Sequence, residues 1–422
     1  MVHDIRELNR SAVLAGLLRH RPVSRRDIAH HTGISAATVT RVVEGLAAEG
    51  IVREGADLPA AKRGRRAVLL DVVADRAHVV GVDLGATNTR IIVADLTGRP
   101  LVAAQTPTAQ EANPDHLADW LAAEIRARAG SLWDSASLVC LGVPGAVRYL
   151  DQVISNAPNL PQVEDPTFAA SLRARLDRRL QLDNDANYAL LGELHFGAAS
   201  SARRAAMLTI GTGLGAGLAI DRQVLRGEHG LVGEFGQLPV GPLGARLEHM
   251  VTGPGILRHA AEAGLTLTSP AELFLADVDF PLANLRAQFD QAMLIVLAAV
   301  MVSCEPQCVV LGGGVGSNLT PAIHRYRESI ESTLRKAPEI LPAALGDYSG
   351  AAGAVVAGLK TAYGDLGVRE DDLTDLPAVG ELTAATIAAA KPAPVAEVED
   401  RARRGRLGTG GPGGQRGAVG AV

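Results

Sequence analysis

Two stretches of this chain read as strand, tight glycine and threonine turn, strand, and their repetition restricts the fold more than any other feature. The first is Gly81-Val82-Asp83-Leu84-Gly85-Ala86-Thr87-Asn88-Thr89-Arg90. Apolar residues run up to Asp83 and resume at Ile91, so only about four residues turn. The second, Met207 to Ile220, contains Ile210-Gly211-Thr212-Gly213-Leu214-Gly215-Ala216-Gly217 about 127 residues further on. Gly85 permits the first turn. A carboxylate at a strand end, followed by the hydroxyls of Thr87 and Thr89, suits backbone N–H groups that approach a phosphate while Asp83 faces its metal. A single stretch of this kind also reads as a plain hairpin. Two of them, in corresponding places of two α/β halves, would clamp one polyphosphate.

Between and after these turns the pattern alternates strands and helices. Ser137 to Val143 reads as a buried strand, and Leu180 to Asp183 as a strand that breaks at Asn184-Asp185-Ala186-Asn187 into a helix from Tyr188 to Phe196. A carboxylate at the carboxyl end of a strand, beside a helix start, is where α/β sheets hold chemistry, although Asn184 or Asp185 would equally serve as a helix cap. A long apolar helix is expected from about Leu285 to Ser303, then a strand from Gln307 to Leu311. The glycines that follow, Gly312, Gly313 and Gly314, suit close approach of a flat ligand such as adenine or simply a flexible turn. Gly350 to Leu359 is a small-residue helix able to pack tightly.

The first 70 residues differ from the rest in charge. They hold 12 Lys or Arg against 7 Asp or Glu, a net of +5, while the remainder carries −10; a basic head suggests a polyanion partner. Ile5, Leu8, Val13, Leu14, Leu17 and Leu18 lay one helical stripe that ends at Arg21-Pro22. Ser24 with Asp27 resembles a capping box for a second helix that stops at Thr32-Gly33. Ser35 caps a third, with Val39, Val42 or Val43, and Leu46 inward, and Ala36, Ala37, Thr38, Thr40 and Arg41 outward. Two helices joined by a short glycine-containing turn form a helix-turn-helix reader of DNA, or an ordinary helical hairpin. Strands at 51–54 and 67–70 would flank a loop holding Lys62-Arg63-Gly64-Arg65-Arg66. Such a run is often only a solvated loop. Behind a helix-turn-helix it makes a wing, and Arg63, Arg65 and Arg66 then contact phosphates without specifying sequence. Base readout falls to Ser35, Thr38, Thr40 and Arg41.

Length and composition set the outer limits. A chain of 422 residues with 47% apolar content has enough apolar material for two to three domains. The opening Met-Val-His-Asp-Ile-Arg lacks an apolar signal region, and no run of about 18 uncharged apolar residues occurs, so the expectation is a cytoplasmic protein without membrane spans. Cys140, Cys304 and Cys308 lack metal spacing and are expected to be small buried residues. The expected domains are 1–75, 76–362, and a mostly disordered tail at 363–422 with a transient helix from Leu382 to Ala390.

Together these motifs resemble the ROK family of repressors and sugar kinases. The resemblance covers about residues 5–360. It implies an α/β chain in which an N-terminal winged helix-turn-helix precedes a two-lobed actin-like ATPase fold. It also implies that Asp83, Gly85, Thr87, Gly211, Thr212, Gly213 and Gly215 hold the phosphates of ATP with Mg²⁺, and that Gly312, Gly313 and Gly314 hold the adenosine. Asn184-Asp185-Ala186-Asn187 resembles the motif whose Asp, here Asp185, is the kinase base. Ala157-Pro158-Asn159-Leu160, Gly233-Glu234-Phe235-Gly236-Gln237 and Leu247-Glu248 resemble sugar-contacting segments. They make Asn159, Asn184, Asp185, Glu234, Gln237 and Glu248 the implied sugar ligands. The chain departs from the family where Gln237 replaces the usual His and where the loop up to Glu248 lacks the three cysteines of a structural zinc site, so no structural zinc is expected. The expected protein is a homodimeric, sugar-responsive regulator of operator DNA. The alternative is an ATP-dependent sugar kinase with a DNA-binding head.

Overall fold

The computed structural model describes residues 5–55, 68–240, 245–275, 280–378 and 381–390. In the head, α1 (Ile5–His20) buries Val13, Leu14, Leu17 and Leu18, but Ile5 and Leu8 remain exposed, so the inward stripe begins later than the spacing suggests. After β1 (Val23–Ser24), the Ser24 hydroxyl accepts from Asp27 N at 3.2 Å and donates to its carboxylate at 2.7 Å, starting α2 (Arg25–Thr32). Gly33, at φ 69°, ends it. The next helix, α3 (Ala36–Ala48), turns Val39, Val43 and Leu46 inward. β2 (Val52–Gly55) and β3 (Leu69–Val72) pair antiparallel, and β3 also pairs with β1. The basic loop with Arg63, Arg65 and Arg66 lies outside the described residues.

The body repeats one topology twice. In the first lobe β4 (His78–Leu84), β5 (Asn88–Asp95) and β6 (Pro100–Pro107) form an antiparallel meander. Beyond α4 (Pro114–Ala129), β7 (Ala136–Val143) runs parallel to β4. A small ribbon of β8 (Ala146–Val147) and β9 (Ile154–Ser155) follows, then α5 (Pro166–Leu176) and β10 (Arg179–Asn184), which completes the order β10-β7-β4-β5-β6. α6 (Asp185–Phe196) crosses to the second lobe, where β11 (Ala205–Ile210), β12 (Leu214–Ile220) and β13 (Gln223–Val224) form the second meander. After α7 (Leu247–Val251), α8 (Gly253–Glu262) and α9 (Phe280–Cys304) comes β14 (Cys308–Gly312), parallel to β11. α10 (Gly313–Gly316), α11 (Ile323–Leu334) and β15 (Glu339–Pro342) complete the order β13-β12-β11-β14-β15. α9 is long and apolar enough to cross a membrane by composition, but here it packs Phe289, Met293, Val296, Leu297 and Val300 into the second-lobe core. Cys140, Cys304 and Cys308 are buried free thiols.

α12 (Ser349–Asp365) returns from β15 to pack on the first-lobe sheet, crossing α6 at very short range. A Cβ on Gly353 would sit 1.6 Å from the Tyr188 carbonyl oxygen, so only glycine allows this crossing of the two helices that join the lobes. Glu193, fully buried on α6, accepts from Ala198 N, Ala344 N, Leu345 N and the Ser349 hydroxyl, which ties the end of one crossing helix to the start of the other.

The expectation of a mostly disordered tail from residue 363 needs correction. α12 continues to Asp365, and α13 (Glu370–Leu373) and α14 (Ala384–Ala389) are folded, with Leu376, Leu382 and Ile387 buried in one core with the head and first lobe. Polar contacts hold this strap on both sides. Arg21, only 9% exposed, pairs with Asp71 of the head and Glu381 of the strap, and Glu381 accepts from Thr97 of the first lobe. The Ser11 hydroxyl accepts from Arg369 N, Gln223 bonds Thr374, and the Lys360 ammonium donates to the Thr374 carbonyl. Beyond Ala390 the chain lies outside the described residues.

Candidate functional site

A cleft of about 640 Å³ opens between the lobes where the two glycine and threonine turns face one another. The hydroxyls of Thr87 and Thr212 stand 3.3 Å apart across it. Gly211 N donates to Gly213 O at 3.0 Å, closing the second turn as Gly85 N to Asn88 O closes the first. Thr89 does not face the cleft. Its hydroxyl meets that of Thr108, which donates to Gly85 O, so it braces the turn from behind. Asp83, at the end of β4, is largely buried, with 14% of its side chain exposed, and its carboxyl is pushed up to about 6, chiefly by burial. The Arg90 guanidinium, 3.8 Å away, opposes that shift, and Asp347, 3.4 Å from Arg90, adds to it. Among the described residues lining the cleft Arg90 is the one cation.

The three glycines after β14 divide their work. Gly312 does not line the cleft: it ends β14, and a Cβ there would meet the Met207 methyl at 2.5 Å, so its smallness serves packing. Gly313, at φ 81°, lies against the Ile210 backbone. Gly314 has open space before it, and Pro254, Leu257 and Pro270 line the cleft beside it. Instead of an open loop, Gly313–Gly316 forms one helical turn.

The other end is rich in carboxylates and amides. Asp185 is the first residue of α6 and is pushed up to about 7 by burial, by the charge of Asp83 and by Glu234. Glu234 is likewise pushed up to about 7 by burial and by Glu248. Glu248 accepts from Asn159 Nδ2 at 3.3 Å and from Gln237 Nε2 at 3.4 Å, and Arg246 bonds the Gln237 carbonyl oxygen. Gly213 links this end to the phosphate turn, since a Cβ there would stand 2.9 Å from Asn159 Nδ2 and 3.2 Å from Glu248 Oε1. Asn184 is engaged elsewhere. Its oxygen caps α6 by accepting from Ala186 N and Asn187 N, and its amide donates to Gly145 O. The cap reading therefore applies to Asn184, but both Asn184 and Asp185 line the cleft, and the Asp185 carboxylate also accepts from Ala186 N at 2.7 Å.

Between Gln237 and Glu248, residues 241–244 lie outside the described residues. On either side the chain pairs with itself: Leu247 N donates to Leu238 O at 3.0 Å, Val240 N to Ala245 O, and Pro239 bridges Arg246. Gln237 and Glu248 are thus brought together by backbone pairing.

In the head, Ser35 and Thr38 are largely occupied with capping α3. The Ser35 hydroxyl accepts from Thr38 N and stands 2.9 Å from the Thr38 hydroxyl, while the Thr40 hydroxyl donates to Ala36 O. Arg41 is exposed, as are Ala36 and Ala37 at the helix start. Sequence reasoning misses Arg90, Asp347, Pro254, Leu257 and Pro270 as cleft residues. Arg90 stands inside the first motif and is visible there; the others belong to no local pattern.

Residues 79–360 match the ROK family. The xylose repressor of Bacillus subtilis is 26% identical over 366 residues, 83% of this chain and 94% of that protein. The xylose repressor of Caldicellulosiruptor bescii is 28% identical over 240 residues, 56% of this chain, and the match spans 59% of the relative's length. Among solved structures, the ROK hexokinase from Thermus thermophilus is 32% identical, with a TM-score of 0.55 over 66% of this chain and 96% of that one. A ROK family transcriptional regulator, a homologue of the Escherichia coli MLC protein, has the same fold, with a TM-score of 0.69 at 20% identity over 88% of this chain and 99% of that one.

Proposed function

The chain belongs to the ROK family, and from that premise we propose that it is a cytoplasmic, sugar-responsive repressor that binds operator DNA through its head as a homodimer. The observation that carries this reading is the strap of residues 366–378 and 381–390. It hydrogen-bonds the head at Ser11 and Arg21, the first lobe at Thr97, and the second lobe at Gln223. Closure of the lobes around a sugar moves Thr97 relative to Gln223, and the strap passes that movement to α1. A sugar acts on the operator only through its differential affinity for the two lobe arrangements. Paired half-sites are the usual target of such readers, which supports the dimer.

Asp185, Glu234, Gln237, Glu248 and Asn159 suit a polyhydroxylated ligand, because carboxylates accept from hydroxyls while the two amides both donate and accept. A magnesium nucleotide also fits. Asp83 is a largely buried carboxylate that a cation would relieve, and Gly314 leaves its slot open. Asp83, Thr87 and Thr212 would hold it, and when bound it supplies a phosphoryl group. That fit favours the second reading, a sugar kinase. The chain's own part would be Asp185, whose value of about 7 suits acceptance of a proton from a sugar hydroxyl.

Operator binding by fluorescence anisotropy, across a sugar titration with and without ATP, separates the readings. Sugar alone should shift operator affinity. A response that requires ATP would favour the kinase whose product is the signal. Replacing Arg63, Arg65 and Arg66 with Ala should flatten the salt dependence on every sequence, whereas Arg41→Ala should change sequence preference.

A further inference from the structure

Arg226 is the first polar side chain after the second-lobe meander, and the described interactions of its guanidinium lie outside the cleft. Its Nε and Nη2 both donate to Asp183 Oδ2, at 2.8 and 2.7 Å, and its guanidinium carbon lies 5.5 Å from the centre of the Tyr149 ring. Asp183 is 5% exposed, and its other oxygen accepts from Asn184 N at 2.8 Å and from Asn187 Nδ2 at 3.0 Å.

These partners belong to three separate segments. Asp183 is two residues before Asp185, at the junction of β10 and α6. Tyr149 sits on the loop of the β8 and β9 ribbon, which runs on to Asn159. Arg226 itself opens the segment that ends at Glu234. That segment rests on the ribbon, since a Cβ on Gly230 would stand 2.3 Å from the Val147 carbonyl oxygen. One guanidinium therefore joins the bases of the three segments that carry Asp185, Asn159 and Glu234, and it does so across the two lobes.

We infer that Arg226 is the positioning residue of the sugar end of the cleft, locking the Glu234 segment of the second lobe onto the Asp185 junction and the Asn159 ribbon of the first. This rests on the sugar-binding reading for its consequence, though not for its geometry. A forked, stacked guanidinium fixes direction as well as charge, and Lys in its place keeps the charge but neither the fork nor the ring contact. Without Arg226, Asp183 keeps, among the described residues, Asn184 N and the Asn187 amide as donors, and the Glu234 segment loses its tie to the Asp185 junction.

The test begins on the ligand-free chain, by hydrogen–deuterium exchange of the parent, Arg226→Ala and Arg226→Lys. Exchange should rise in residues 146–157 and 227–237 for the Ala variant, rise less for the Lys variant, and stay unchanged at residues 85–88 and 211–214. Unchanged exchange in the first two segments overturns the inference, and so does an equal rise throughout the body, which a merely destabilised fold would give. With D-xylose and D-glucose as probes, Arg226→Ala should weaken the sugar that the parent binds by on the order of tenfold or more, with ATP affinity unaltered. Equal losses for sugar and ATP, or no loss for sugar, count against it. A parent that binds neither sugar, beside the expected exchange pattern, removes the sugar reading and leaves the positioning contact standing.

Discussion

The two ends of the cleft are built on different principles. The proposed phosphate end consists of two turns, each contained in one hairpin, with glycine at Gly85, Gly211 and Gly213 and a hydroxyl at Thr87 and Thr212. On the proposed reading it would hold phosphate through backbone N–H groups other than those of Gly85 and Gly211, which close the turns themselves. The proposed sugar end is assembled from Asn159, Asp185, Glu234, Gln237 and Glu248, five positions spread along the chain that meet only when both lobes fold. It works through carboxylates held close enough to raise one another's affinity for protons. A turn of the first kind tolerates small movements of the lobes, because its donors travel together. A cluster of the second kind changes its electrostatics with every such movement, which is what a sensor of lobe closure requires.

The largest expected difference between the two ends appears at Asp185. Asparagine keeps one acceptor oxygen but cannot take a proton, so Asp185→Asn should lower any sugar phosphorylation by about 10²–10⁴-fold. Sugar affinity should fall less, by roughly 10- to 150-fold, corresponding to one hydrogen bond to a charged group at about 1.5–3 kcal/mol. ATP affinity should hold. Steady-state turnover and calorimetric titration of each ligand measure the three quantities. Equal losses of sugar and ATP binding would erase the proposed division of the cleft.

The reverse experiment places bulk at the nucleotide end. A Cβ on Gly314 would meet nothing within 4 Å, and this glycine forms part of the slot lined by Pro254 and Leu257. Gly314→Leu should therefore fill the slot without disturbing the fold, and lower ATP affinity by about tenfold or more while sugar affinity stays the same. If the sensor reading is right, operator release by sugar should survive in this variant. Its disappearance would tie the response to nucleotide.

How far each end can be read from sequence follows from the same contrast. Strand, glycine turn, strand is a local pattern, and Asp83, Thr87, Gly211 and Thr212 stand in the cleft where that pattern puts them. Local pattern also misleads. Gly312 belongs to a glycine run but packs on Met207, and Thr89 belongs to the first motif but bonds Thr108. Each is a residue whose neighbour across the sheet or helix decides its role. Asp347 and Arg226 carry no local signature, because their partners are Arg90 and Asp183, far away in sequence. The helix expected within Leu382 to Ala390 is present as α14, but the docking of the strap escapes a sequence reading for a related reason. Its apolar residues Leu376, Leu382 and Ile387 are too sparse to predict a core, yet each fills space that the head and first lobe already provide.

A smaller effect should appear in the pH dependence of the ligand-free chain. Asp185 and Glu234 are raised to about 7 from ordinary values of 3.8 and 4.5, and Asp83 to about 6. A carboxyl whose folded value lies above its unfolded value is favoured in its protonated form by the fold. Its stabilising contribution is complete below the unfolded value and is lost as pH rises through the folded one. Melting temperature should therefore decline between about pH 5 and about pH 8, and the decline should be shallower in Asp185→Asn and Glu234→Gln. Substitutions in the phosphate turns that leave Asp83 in place should not flatten it. A parent whose stability rises over that interval would contradict the crowding of carboxylates at the sugar end.

The smallest effect expected is none at all, on treatment with a chelator. Relatives with a structural zinc would use thiolates and a histidine to fix the loop that presents a sugar-contacting glutamate; this chain has Gln237 at the matching place and no cysteine between it and Glu248. Here that loop's two ends are paired through Leu247 N to Leu238 O and Val240 N to Ala245 O, with Arg246 on Gln237 and Gln237 on Glu248. Backbone pairing of this kind needs no deprotonated ligand and releases nothing to a chelator. Melting temperature and sugar affinity should both be unchanged after exhaustive dialysis against a strong chelator, and metal analysis should find no zinc bound in proportion to protein. If chelation lowered the melting temperature and zinc restored it, the sugar end would depend on a metal after all, and the contrast between a backbone-built and a side-chain-built end would have to include one.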